Sequence, residues 1–321
     1  MSLRTSLAGR PRRDRHPATG PLPLPAEIFL AFRSEIPLSD IRTHVCFYKT
    51  HPRIAALYDA EEKSEVFWRL VCWHSGITAL CTDSPMFPPF WRKIAMEVVE
   101  KDGFCKHPQC GEGLLEYNRQ RMEHAEKHVQ PPSVYTFSKP KAGSTTVANG
   151  GSRPEQLAVH HALSHITFSR HRSSPYTRAG QDALLRSAAH EESAYDGSVV
   201  LADHPLIQRS FATDVPVSGL SLLRLAGDDP VEATGIGRPS GIAVLDVVGP
   251  IHPEELSPGA MVRLLTSIFE NLDEAWPGTI PAEQQRSIRG LLRISHLGEY
   301  QFEGTVLDGT FPQFSVRLER N

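Results

Sequence analysis

No apolar run in this chain approaches the length needed to cross a bilayer, so a membrane-spanning helix is not expected. An excess of charge of either sign is also missing. The 34 Lys and Arg stand against 37 Asp and Glu, a net charge of -3, and no global field draws the chain to nucleic acid or to an anionic membrane. Cysteine is scarce: five residues, an odd number at uneven spacing, argue against a disulfide framework and agree with a reducing compartment. The first residues hold no apolar core of a secretory signal, which makes cytoplasm or nucleus the expected location. Motifs of catalysis are absent as well. There is no phosphate-binding loop ending in Gly-Lys-Ser/Thr and no Gly-x-Ser-x-Gly elbow, and His190-Glu191-Glu192 lacks the second His of a zinc-protease helix. No residue stands out as catalytic, and the chain reads as a non-enzyme.

What is present divides into five stretches, enough for two domains and connecting material in 321 residues. Residues 1–20 carry Arg4, Arg10, Arg12, Arg13 and Arg15 among Pro, Gly and Ser, and read as a disordered basic arm. Residues 21–75 read as a compact run of short helices. Pro25 stands where a helix can begin, and Ile28, Phe29 and Phe32 recur on one face of it. Pro37 stops that helix, and Ser39 and Asp40 offer oxygens to cap the next. So short a segment cannot bury all of its apolar residues alone, and part of that surface should meet another portion of the chain or another protein.

The order Leu24-Pro25-Ala26-Glu27-Ile28, then Ile36-Pro37-Leu38-Ser39-Asp40-Ile41, then Phe67-Trp68-Arg69-Leu70 resembles an F-box. Val45-Cys46-Phe47-Tyr48-Lys49 departs from that family's Val-Cys-x-x-Trp signature, lying closer to Asp40 than usual and carrying no Trp. The resemblance covers about one sixth of the chain. It implies a substrate adaptor that docks onto a Skp-type linker protein and, through it, a cullin ubiquitin ligase. Leu24, Pro25, Ile28, Ile36, Pro37, Leu38 and Trp68 would then present or support the docking surface.

Residues 76–130 read as a helical extension, with Trp91, Ile94, Ala95 and Val98 at helical spacing and Leu115, Met122 and Ala125 less regularly so. This stretch holds the strongest chemical constellation. Cys105 and Cys110, with four residues between them, and His124 and His128, at i and i+4 on a helix, offer two thiolates and two imidazoles to one tetrahedral zinc ion. Four protein ligands leave no open position for substrate water, so such a zinc would be structural. Arg121 occupies the position where a finger of this kind carries an apolar residue, and His107 could replace a helix histidine. The plainer alternative is two buried thiols and two histidines on a solvated helix.

Residues 131–195 are punctuated by Pro131-Pro132, Pro140, Gly143-Ser144 and Asn149-Gly150-Gly151-Ser152, and read as linker with one strand candidate at Ile166-Thr167-Phe168. His160, His161 and His165 in this stretch read as adventitious, since no Cys or carboxylate completes a ligand set nearby. Residues 196–321 read as an α+β domain that could bind a target protein. Leu206 to Phe211 and Leu220 to Leu225 are strand candidates, and Ser257-Pro258 opens a helix through Leu272. Leu291 to Ile294, Tyr300 to Val306 and Phe314 to Leu318, with a turn at Asp308-Gly309, suggest an antiparallel meander. Gly235-Ile236-Gly237-Arg238-Pro239-Ser240-Gly241 has the wrong spacing for a dinucleotide turn and reads as a surface loop.

The fold class expected is therefore α+β, a helical F-box-like region followed by a domain of antiparallel strands and one or two helices. Two functions remain open. One is the adaptor. The other is a zinc-stabilised nucleic-acid-binding protein with Arg119, Arg121 and Lys127 on phosphates, opposed by Glu116, Glu123 and Glu126 on the same helix.

Overall fold

Capping residues fix the first helices in the computed structural model, which describes residues 24–60, 64–83, 88–136, 157–168, 183–185, 199–226, 229–251, 297–305 and 313–320. Pro25 immediately precedes α1 (Ala26–Glu35), and Ile36 turns extended ahead of Pro37 and ends it. The Asp40 carboxylate accepts from Thr43 N at 3.0 Å and opens α2 (Ile41–Thr50). Pro52 lies in the first turn of α3 (Pro52–Asp59), which packs with α4 (Ser64–His74). Their core is aromatic. Tyr58 stacks on Trp68 at 5.4 Å between ring centres, with Tyr48 and Phe67 edge-on to both.

Helices α5 (Trp91–Lys101) and α6 (Gly111–Ala125) extend this region as the spacing predicts. Trp91, Ile94, Ala95, Val98 and Val99 form the buried face of α5. The less regular pattern of α6 has a cause: its buried face mixes Leu114, Met122 and Ala125 with the polar Asn118 and Arg121.

Residue 130 is not an edge of the core. Buried residues from Phe29 to Val248 form one hydrophobic cluster. An irregular extended segment, Ser210 to Ser218, together with the Arg209 carbonyl just before it, ties the parts together. Thr78 N donates to Arg209 O, Phe211 N to Gly76 O, Ala212 N to Ile242 O, His160 N to Ala212 O and Tyr135 N to Pro216 O, all between 2.7 and 3.0 Å. The helical stretch, parts of the expected linker and the C-terminal half thus share backbone ladders, which a flexible linker between separate domains would not make.

Strands β1 (Ile166–Phe168), β2 (Ala183–Leu185) and β3 (Val199–Val200) form a small antiparallel sheet, Ile166 opposite Leu185 and Leu185 opposite Val199. The expected strand at Leu206 to Phe211 is instead helix α7 (Pro205–Arg209), begun by Pro205. Pro205, Leu206 and Ile207 are all buried, and a short continuous apolar run has the same pattern in either state.

The larger sheet has the order β5-β4-β7-β6, from β4 (Gly219–Ala226), β5 (Asp229–Gly237), β6 (Leu297–Thr305) and β7 (Gln313–Arg320), with helix α8 (Val244–Ile251) after β5. β6 and β7 pair antiparallel as the alternation suggests, Phe302 opposite Val316. The centre departs from a meander, because β4 and β7 run parallel with Leu222 opposite Phe314. The fold is α+β with a mixed sheet. Gly235 and Gly237 belong to β5, opposite Ser221 and Gly219, rather than to a surface loop. The basic arm, most of the expected linker, His190-Glu191-Glu192, the helix opened by Ser257, the strand at Leu291 to Ile294 and the turn at Asp308-Gly309 lie outside the described residues.

Candidate functional site

Two features carry chemistry or surface beyond the needs of the fold. The first is α1. Phe29 and Arg33 hold it to its neighbours: Phe29 is buried 6.2 Å from the Phe47 ring, and the Arg33 guanidinium lies 4.3 Å from the centre of Phe67 and 4.7 Å from that of Tyr58. Leu24, just ahead of the helix, precedes Ile28 and Phe32, which lie four residues apart on the stripe of α1 adjacent to Phe29 and Arg33. Leu24, Ile28 and Phe32 remain 44%, 42% and 54% exposed. Covering three half-exposed side chains of this size would gain on the order of 2–5 kcal/mol. Pro25 and Pro37 are also exposed, while Ile36 and Leu38 are half-buried. Trp68 is placed differently. It is fully buried in the aromatic core, so it supports this region from beneath and presents no surface.

The second feature lies in the α5–α6 connection. Asp102 ends α5, and Cys110 caps the start of α6. Between them Cys105 N donates to Asp102 O at 2.8 Å and Cys110 N to His107 O at 3.0 Å, two turns that coil the loop onto itself. Gly111, at φ 60°, makes the coil possible: a Cβ there would stand 2.1 Å from the Cys105 carbonyl oxygen. His204, at the start of α7, completes the group. One ligand atom from each of Asp102, Cys105, Cys110 and His204 lies within 4.8 Å of the others. His204 Nδ1 is 3.0 Å from Asp102 Oδ1 and 4.0 Å from Cys105 Sγ. Leu206 N donates to Asp102 Oδ2 at 2.8 Å, and His107 N donates to Cys105 Sγ at 3.4 Å. Burial, and then the neighbouring Asp102 and Cys105, push the Cys110 thiol far above its usual range.

The structure thus joins Cys105 and Cys110 but not His124 and His128. Those two rings face each other 5.3 Å apart in the last turn of α6 and just beyond it. His124 lies fourteen residues beyond Cys110, roughly 20 Å along a helix. His107 does not replace them; its ring lies beside His204, 5.5 Å between centres, and its Nδ1 accepts from Gln109 N. Sequence reasoning missed Asp102 and His204. Asp102, three residues before Cys105, was within reach of a spacing argument; His204, ninety-nine residues after it, was not.

Two of the three cations assigned to phosphate binding, Arg119 and Arg121, are engaged elsewhere, while Lys127 is exposed. Arg121 is buried and donates from both terminal nitrogens to Phe211 O at 3.2 Å, and burial lowers its pKa to about 10. Arg119 pairs with Glu116 and Glu123. His160 is also structural, its Nε2 3.3 Å from Asn118 Oδ1, whose Nδ2 donates to Ser210 Oγ. His161 and His165 lie on a short 3-10 helix and belong to no cluster of metal-ligating groups among the described residues. A cavity of about 260 Å³ between Leu80, β5 and α8 has its charged groups satisfied, since Arg238 Nε donates to Asp246 Oδ1 at 2.8 Å. No family model matches this sequence, and no curated protein and no solved structure matches it either.

Proposed function

We propose that this chain is a non-catalytic substrate adaptor that docks through α1 onto a Skp-type linker protein of a cullin ubiquitin ligase. The observation that carries the reading is the half-exposed apolar stripe of Ile28 and Phe32, continued by Leu24 just ahead of the helix, beside Phe29 and Arg33, which anchor α1 in an aromatic core. It coincides with the Leu-Pro-x-Glu-Ile order that resembles an F-box. Pro25, Ile36, Pro37 and Leu38 flank that stripe, and Trp68 stiffens the region below it. The adaptor works by proximity: holding a target beside the transfer enzyme raises the effective concentration of the target's lysines, with no chemical step on this chain. Target binding falls to the C-terminal α+β half.

Co-expression with a Skp-type linker tests this. The wild-type chain should co-purify with the linker, and the variants Leu24→Ala/Pro25→Ala and Ile28→Asp/Phe32→Asp should not, while an unchanged circular dichroism spectrum shows that the variants still fold. Failure of the wild-type chain to bind would remove the adaptor reading.

A further inference from the structure

We propose that Asp102, Cys105, Cys110 and His204 form a closed site for one divalent cation of the zinc class, a structural staple between the α5–α6 loop and the start of α7. The donor set is the first ground. Two thiolates, one imidazole nitrogen and one carboxylate oxygen are the ligands that zinc takes in tetrahedral sites, while the sulfurs disfavour magnesium and calcium. Geometry is the second. Bonds of about 2.0–2.3 Å place tetrahedral ligands roughly 3.3–3.8 Å apart. The four atoms here lie within 4.8 Å of one another, so a modest contraction closes the site.

The surrounding donors fit the same role. Leu206 N holds one Asp102 oxygen and leaves the other facing His204, and His107 N donates to the Cys105 sulfur. Such outer hydrogen bonds orient ligands and spread the charge of thiolates. Binding displaces both thiol protons; two thiolates, one carboxylate and a neutral imidazole around a +2 ion leave a net charge of -1. A Cys-His-Asp catalytic relay does not fit these atoms. In such a relay the carboxylate and the nucleophile address opposite ring nitrogens, whereas here Asp102 and Cys105 both face Nδ1 of His204.

The site joins residues from the helical region to His204, so the ion would reinforce the seam that the segment from Ser210 to Ser218 already makes. Its test is independent of linker binding. The full chain, purified under reducing conditions without chelator, should carry about one zinc per chain by elemental analysis. Cobalt(II) in place of zinc should give tetrahedral ligand-field bands and thiolate charge-transfer absorption. Cys110→Ser should weaken the charge-transfer band, and His204→Asn should abolish stoichiometric binding. His124→Gln/His128→Gln should keep both metal and spectrum. A folded wild-type chain with no zinc and no cobalt spectrum overturns the proposal, as does a Cys105–Cys110 disulfide, or loss of metal in the His124/His128 variant with retention in His204→Asn. If Cys110→Ser does not fold, the wild-type stoichiometry and the two histidine variants decide.

Discussion

Replacing His44 by leucine isolates how far one buried imidazole makes the helical region sensitive to acid. His44 is fully buried, with Nδ1 3.2 Å from the Tyr58 hydroxyl and its ring edge-on to Phe67 at 5.2 Å. Burial lowers its pKa from 6.5 to about 4, against the pull of the Asp40 carboxylate and with a further push from Arg33. The folded chain therefore keeps the ring neutral while the unfolded chain takes up a proton near pH 6.5. Between those two values the unfolded state binds more protons, so stability is whole above that range and falls as pH drops through 6.5 towards 4. At about pH 5 the loss from this one group is 1.36 kcal/mol for each of about 1.5 pH units, or about 2 kcal/mol.

His160, His161 and His74 are also lowered, each chiefly by burial, and steepen the acid limb of the wild type. They stay in the variant. His44→Leu also deprives the Tyr58 hydroxyl of its partner, which costs about 1 kcal/mol at every pH. Urea unfolding of both proteins at about pH 5 and about pH 7.5 separates the two effects. The stability gap between wild type and variant should shift by about 2 kcal/mol in favour of the variant at the lower pH. Parallel stability curves would refute the assignment of a neutral, buried His44.

Two further substitutions, with a third as a control, probe the joint between the N- and C-terminal parts. Arg209 is buried, forks onto Asp83 at 2.5 and 2.8 Å and reaches Glu97 at 3.0 Å; Arg209→Met takes the guanidinium from Asp83, while Glu97 keeps Lys101 at 3.1 Å, and should cost about 3 kcal/mol in chemical denaturation. An unchanged unfolding midpoint would show that the pair contributes nothing. Gly241 has φ 100°, and a Cβ there would stand 2.4 Å from Phe211 Cε1; Gly241→Ala should lose about 1–3 kcal/mol, whereas Gly235→Ala, which meets nothing within 4 Å, should stay within about 0.5 kcal/mol of wild type. Equal midpoints for the two alanine variants would contradict the tight approach at Phe211.

Sequence by itself determined the elements whose causes are local. Pro25, Pro37 and Asp40 set the ends of α1 and α2 through fixed φ, pre-proline backbone and a side-chain cap, all acting within one turn. The helical spacing of Trp91, Ile94, Ala95 and Val98 gave α5, and alternation gave β6 and β7. Tertiary structure decided what depends on residues far apart. It made a helix of Pro205–Arg209, where a short apolar run could be strand or helix until its burial on all sides was fixed. It set β4 parallel to β7, since strand direction follows from the path of the intervening chain rather than from either strand's own pattern. It buried Arg121 against the Phe211 carbonyl, turning a phosphate ligand into part of the core. It also exchanged His124 and His128 for His204 as the neighbour of Cys105 and Cys110. Periodicity records which residues of one element share a face, but only the closed chain brings together donors that lie ninety-nine positions apart.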